Sequence, residues 1–146
     1  MALFTYDIHL EKTLPDPPAD VWRALTDPQI LARWLMRNDF KPEEGHQFEF
    51  RDKPRFAWDG IVKCKVLDVV PRERLAMAWI GAPDMPPTLV TFLLRPAGEG
   101  TTLTFSQAGF RGLKYSLIGR FLKRGWQDMI GNKLPKAIER AEPAPV

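Results

Sequence analysis

The feature that most restricts this chain is a change in hydrophobic period. From Gln47 to Phe105 apolar residues recur at every second position in short runs separated by turn residues, and from about Leu113 to Ala141 they recur every three or four. Period two puts alternate side chains on opposite faces of a strand, whereas a period near 3.6 lines one face of a helix. A chain with several short strands and one long C-terminal helix must lay the helical stripe of Leu122, Trp126, Ile130, Leu134, Ala137 and Ala141 on the apolar side of its sheet. The strand connections are too short for crossovers, so the sheet is expected to be antiparallel.

The remaining elements follow in order. Phe4, Tyr6, Ile8 and Leu10 alternate with polar residues and mark a first strand buried on one face. Asp16-Pro17-Pro18 reads as a helix start, with a carboxylate cap and proline in the first turn, ahead of Val21, Trp22 and Leu25. Asp27-Pro28 repeats the signal before Ile30, Leu31, Trp34 and Leu35, so two short helices form a V with an apolar inside. Strand signals then occur around Phe48 and Phe50, from Trp58 to Val70, from Leu75 to Ile80, from Val90 to Leu94 and, past Gly98-Glu99-Gly100, at Leu103 and Phe105. The expected fold is α+β: a curved six-stranded antiparallel sheet with two short helices and a long C-terminal helix, in the order β-αα-βββββ-α. Pro135 lacks an N–H and crowds the carbonyl of Gly131, which predicts a bend in the last helix. Residues 1–146 read as one domain, with 142–146, which carries two prolines, as a flexible tail.

With 146 residues, 45% of them hydrophobic and 27% charged, the chain has the composition of an ordinary globular domain. A net charge of +3 is far from the concentrated charge of a dedicated nucleic-acid binder. The N-terminus has no signal-peptide pattern and no segment approaches the roughly 18 apolar residues of a membrane span. Cys64 is the single cysteine, so no internal disulfide forms, and a reducing, cytoplasmic location is expected.

Catalytic and metal sites demand particular residues at particular spacings. Ser106 and Ser116 lie in no G-x-S-x-G elbow, there is no glycine-rich phosphate loop, and His9 and His46 lack the spacing of a metal site; no metal or cofactor is expected. His9, between Asp7 and Glu11, falls on the polar face of the first strand and reads as solvated. Cys64, in register with Val62 and Val66, reads as a small buried hydrophobe. Arg111, Lys114, Arg120, Lys123 and Arg124 fall in a stretch without an acid. They are a candidate surface for an anionic headgroup, membrane or partner, set against the commoner reading of such runs as the solvated side of a helix.

Four segments go further. PADVWRALTDPQILARWL at 18–35, GIVKCKVLDVVPRERLAMAW at 60–79, VTFLLRPAGEGTTLTFSQAGF at 90–110, and Gly125-Trp126 resemble, in order, the activator of heat-shock protein 90 ATPase homologue family of START-like (helix-grip, SRPBCC) domains. The resemblance implies a cavity between the sheet and the last helix, and roles that range from lipid or polyketide binding through ring-forming chemistry to co-chaperone work. Relatives often carry histidine near the end of the sixth strand, where this chain has Gln107, and a second aromatic where it has Leu35.

On that geometry, the residues expected to line the cavity are Trp34, Phe40, Phe50, Trp58, Met77, Trp79, Phe92, Phe105, Gln107, Trp126 and Ile130. Gln107 would be the main polar group, able to donate and accept toward a carbonyl or hydroxyl. The proline-rich segment 81–87 would form the rim with Met85 exposed. The expected function is to carry or sense an apolar or amphipathic small molecule, as a monomer or homodimer. One alternative is an enzyme acting on such a ligand, with a buried carboxylate such as Asp59 or Asp68. Another is stimulation of a heat-shock protein 90 ATPase, disfavoured because the chain starts at its first strand without the chaperone-gripping domain of those relatives.

Overall fold

The computed structural model describes residues 4–56 and 58–141, and the expected tail at 142–146 lies outside them. Strand β1 (Thr5–Leu14) leads into helices α1 (Pro18–Thr26) and α2 (Pro28–Trp34). Strands β2 (Arg37–Asn38), β3 (Gln47–Arg51), β4 (Ile61–Val70), β5 (Arg74–Ile80), β6 (Thr88–Ala97) and β7 (Gly100–Arg111) follow. The chain ends in α3 (Gly112–Asp128), a π-helical turn (Met129–Lys133) and α4 (Leu134–Arg140). All strand pairs are antiparallel, in the order β1-β7-β6-β5-β4-β3-β2. Strands β2 to β7 form a meander and β1 pairs with its last strand, so α1 and α2 carry the chain from one sheet edge to the other. This is the helix-grip arrangement, with seven strands where six were expected. The additional one, β2, sets only Arg37 and Asn38 opposite Arg51 and Phe50, and two residues carry no readable period. Register shifts at Tyr6/Ile8 and Val66/Asp68 are bulges that bend the sheet around the helix.

The two Asp-Pro helix starts part company. Asp27 accepts from the backbone N–H of Gln29 at 2.9 Å and of Ile30 at 3.4 Å, a side-chain N-cap. Asp16 caps nothing, because α1 begins one residue later with Pro17 at its N-cap. The Asp16 carbonyl instead accepts from Thr101 Oγ1 at 2.7 Å, tying α1 to β7. Burial, then the neighbouring Asp20 charge, raises the Asp16 carboxyl above its ordinary pKa.

The apolar run from Trp58 to Val70 is likewise divided. Gly60 has φ +82°, and a Cβ there would lie 2.3 Å from the carbonyl oxygen of Asp52. The chain turns at this glycine and β4 starts only at Ile61.

Pro135 has its effect as a widened turn. The N–H of Leu134 reaches back five residues to the carbonyl of Met129, so the helix bypasses the bond that Pro135 cannot make without breaking. Trp126, Ile130, Leu134 and Ala137 stay buried through this turn.

Candidate functional site

The pleat of the central strands decides what faces α3. Ile8, Gln107, Val90, Met77 and Val66 form one row across β1, β7, β6, β5 and β4. Phe105 and Phe92 pair in the next row on one side, and Thr88 and Trp79 pair on the other. A polar amide is thus set between two aromatic rows on the buried face. Helix α3 comes close enough to reach it because Gly119 lies against β1 and β7. A Cβ on Gly119 would meet the Phe110 ring at 2.8 Å and the Tyr6 ring at 2.9 Å.

Trp126 enters this interior from α3. Its ring centroid lies 4.2 Å from Phe105, 5.4 Å from Trp79 and 6.4 Å from Phe92. The aromatic contacts continue from Trp79 to Phe50 at 5.2 Å, on through Phe48 to Phe40, and from Phe92 to Trp34 at 6.2 Å. Through the middle runs one chain of hydrogen bonds. Trp126 Nε1 donates to Gln107 Oε1 (2.8 Å), Gln107 Nε2 donates to Thr88 Oγ1 (2.9 Å), and Thr88 Oγ1 donates to the Trp79 carbonyl (3.0 Å). The Gln107 amide keeps one further lone pair and one further N–H beyond this chain.

Ten of the eleven residues named from sequence are buried in this one interior. Trp58 is not among them: it is half-buried on the loop before Gly60, and its Nε1 donates to the Gly81 carbonyl at 2.9 Å. That bond pins one end of the 81–87 segment. Tyr115 of α3 pins the middle, its hydroxyl donating to the Asp84 carbonyl at 2.8 Å. Met85, expected to be exposed, is half-buried against the core because the segment is held down on both sides. Two residues of this region escaped sequence reasoning. Thr88 would have been found by pairing it with Trp79, which needs the register; Tyr115 carries no signal beyond being amphipathic.

The remaining candidates lie elsewhere. Asp59 accepts from the Ile61 backbone N–H and Asp68 pairs with Arg74 at 2.5 Å, both outside the aromatic interior. Among the described residues no carboxylate is buried. His9 is exposed. Burial pushes the Cys64 thiol far above its ordinary pKa, away from thiolate chemistry. Among the described residues no cluster of His, Cys, Asp and Glu is arranged to hold a metal. Arg111, Lys114, Arg120 and Arg124 are exposed and Lys123 half-buried, along the start and outer side of α3. The Arg120 guanidinium lies 4.6 Å from the Tyr6 ring centroid. Two concavities, of about 760 and about 630 Å³, open on the opposite face of the sheet, where both are lined by Ala78 and Pro87.

With this geometry established, residues 16–139 match the family described as activator of Hsp90 ATPase homolog 1-like protein. The chain belongs to that family. Among solved structures it is similar to protein MLL2253 from Mesorhizobium loti, at 34% identity over 94% of this chain and all (100%) of that one, with a TM-score of 0.81. It is also similar to BH1534 of Bacillus halodurans, at 27% identity over 94% and 99% of the two chains, TM-score 0.78. DynU16, a protein of the dynemicin biosynthetic locus, matches at 27% identity and TM-score 0.74 over 94% of this chain and 48% of its own length. No curated protein matches. The START-like fold of this Hsp90-activator-like family is one broadly used for ligand binding. No helix among the described residues is long and apolar enough to cross a membrane.

Proposed function

We propose that the protein binds an apolar or amphipathic small molecule, lipid- or polyketide-like, in the interior between the sheet and α3, as a carrier or sensor. The observation that carries this reading is the Trp126–Gln107–Thr88 hydrogen-bond chain inside the aromatic cluster. A core built for stability alone gains little from a buried amide, which must be fully paired to avoid a penalty. Here one of the amide's two partners is a side chain on α3, outside the sheet. In this reading Trp126 occupies the ligand position in the empty protein, with its indole N–H satisfying Gln107. A bound ligand displaces the ring and places a hydroxyl on the same oxygen, or a carbonyl against the amide N–H. The π-turn just after Trp126 is where α3 can rearrange at least cost, and the Tyr115–Asp84 and Trp58–Gly81 bonds hold the entrance shut. That DynU16 belongs to a biosynthetic locus supports a small-molecule role in a protein of the same fold.

The test is solvent extraction of the purified protein with mass spectrometry of the extract, paired with displacement of a fluorescent fatty acid from wild type and Trp126→Ala. Binding by wild type that is enhanced by Trp126→Ala, and weakened by Gln107→Leu only for ligands that carry a hydroxyl or carbonyl group, is expected. An empty extract together with no uptake by either protein overturns the reading.

A further inference from the structure

Helix α3 carries a second apolar line. Leu113, Leu117 and Phe121 recur at i, i+4 and i+8 and stand 56%, 58% and 75% exposed, while Ser116, Gly119 and Trp126 on the other side of the helix are buried. A surface helix ordinarily shows polar residues there. Cations border the line on every turn: Lys114 lies three residues before Leu117, Arg120 three after it, and Arg124 three after Phe121. Residues 111–127 contain no Asp or Glu. Among the described residues, none of Arg111, Lys114, Arg120, Lys123 and Arg124 pairs with a carboxylate, so their charge is left for a partner. Phe4, 50% exposed, accepts through its carbonyl from the Gly112 N–H and adds a fourth apolar side chain at the start of the helix.

We propose that this outward face of α3 is a peripheral docking surface for an anionic lipid bilayer. The charge fixes the sign of the partner: a continuous basic border with no acid selects a negative surface. The shape favours a bilayer over a protein. Leu113, Leu117 and Phe121 form an exposed ridge along one helix and line neither of the two concavities of the sheet. A bilayer interface accepts such a ridge at the boundary between headgroups and acyl chains while the flanking cations meet phosphates, which is how amphipathic helices lie on membranes. The inference uses only the outer face of α3 and stands independently of the ligand reading. If both hold, the helix that closes the ligand interior is also the one that rests on the lipid.

The test is flotation of the full chain with vesicles of phosphatidylcholine alone and of phosphatidylcholine with phosphatidylglycerol, at low and high salt. Flotation with the anionic vesicles only, reversed by salt, is expected. Arg120→Glu/Arg124→Glu is expected to weaken it by about tenfold or more. Leu117→Ser/Phe121→Ser, which leaves every cation in place, is expected to reduce it too. In Phe121→Trp, emission should be quenched by brominated acyl chains beyond the wild-type level. All these side chains are exposed, and unchanged circular dichroism and melting temperature verify that each variant folds. No flotation at low salt overturns the proposal, as does flotation that survives both double substitutions. Binding to an acidic polypeptide, or self-association lost in Leu117→Ser/Phe121→Ser, without vesicle binding, overturns it in favour of a protein partner.

Discussion

Trp126 and Phe121 are five residues apart on α3 and meet opposite fates. Trp126 is 3% exposed, in contact with three aromatic rings and hydrogen-bonded to Gln107. Phe121 is 75% exposed and, among the described residues, touches no other ring. The apolar side chains do not make the difference; their neighbours do. Beside the inner line stand Ser116 and Gly119, small enough for the backbone to approach the strands, and the polar end of Trp126 finds an amide. Beside the outer line stand long cations, whose stems lie along the helix surface with the charged heads outward and, for Arg120, over the Tyr6 ring. A helix with two apolar lines therefore packs through whichever is flanked by small residues, and the other is left for a partner.

The sharpest way to break this contrast is Trp126→Ala. Loss of the indole from a close-packed interior is expected to destabilise the fold by about 3–5 kcal/mol in urea unfolding, and an apolar fragment added to the variant should recover part of the loss. A cost near zero would mean that the inner face is as loosely held as the outer. Gln107→Leu comes next. It keeps the volume but leaves the Trp126 N–H without an acceptor in an apolar setting, an expected loss of about 1–3 kcal/mol. Trp126→Phe in the same background should then cost less than it does in wild type, since the hydrogen bond is already gone.

Much of this was legible in the sequence where one face is buried and the other wet. The first strand, the hairpins and the inner stripe from Trp126 to Ala137 follow from period alone. The legibility failed where a local contact decides. Asp16 and Asp27 carry the same Asp-Pro signal, yet only Asp27 caps, because α1 starts one residue later with Pro17 at its N-cap, where the Asp16 carbonyl is held by Thr101, 85 residues away in sequence. Trp58 continues the alternation of β4, but the turn at Gly60 removes it from the aromatic interior to the 81–87 segment. Gln107 stood out as the polar residue among aromatics, whereas its partners Thr88 and Trp126 depend on strand register and helix placement. On α3 the cations were visible and the line they border was not, because two apolar lines on one helix blur any single amphipathic phase.

A smaller effect is expected where α3 meets the π-turn. The Asp128 carboxylate accepts from Asn132 Nδ2 at 2.9 Å and lies 3.7 Å from Lys133 Nζ, an i, i+5 pairing suited to the wider turn. The Asn132 hydrogen bond first, and the Lys133 charge after it, hold its pKa below the ordinary value. A lowered folded pKa means that the stabilisation is present above the unfolded pKa, about 4, and is lost as pH falls through the folded one. Asp128→Asn should therefore lower the melting temperature slightly at neutral pH, with the two proteins converging in acid. A gap that persists below the folded pKa would assign the effect to geometry rather than charge.

The smallest change is expected on the outer line itself. Leu117→Ser/Phe121→Ser removes two large apolar groups that are already in water, so the stability of the folded chain should move by no more than about 0.5 kcal/mol. Solubility should rise, since a contiguous apolar ridge is lost while the cations remain. This result is the counterpart of Trp126→Ala: the same helix, the same kind of deletion and a cost several-fold lower. A loss of stability comparable to that of Trp126→Ala would show that the ridge is covered in solution by the protein itself, and unfolding midpoints that rise with protein concentration would identify a second copy as the cover.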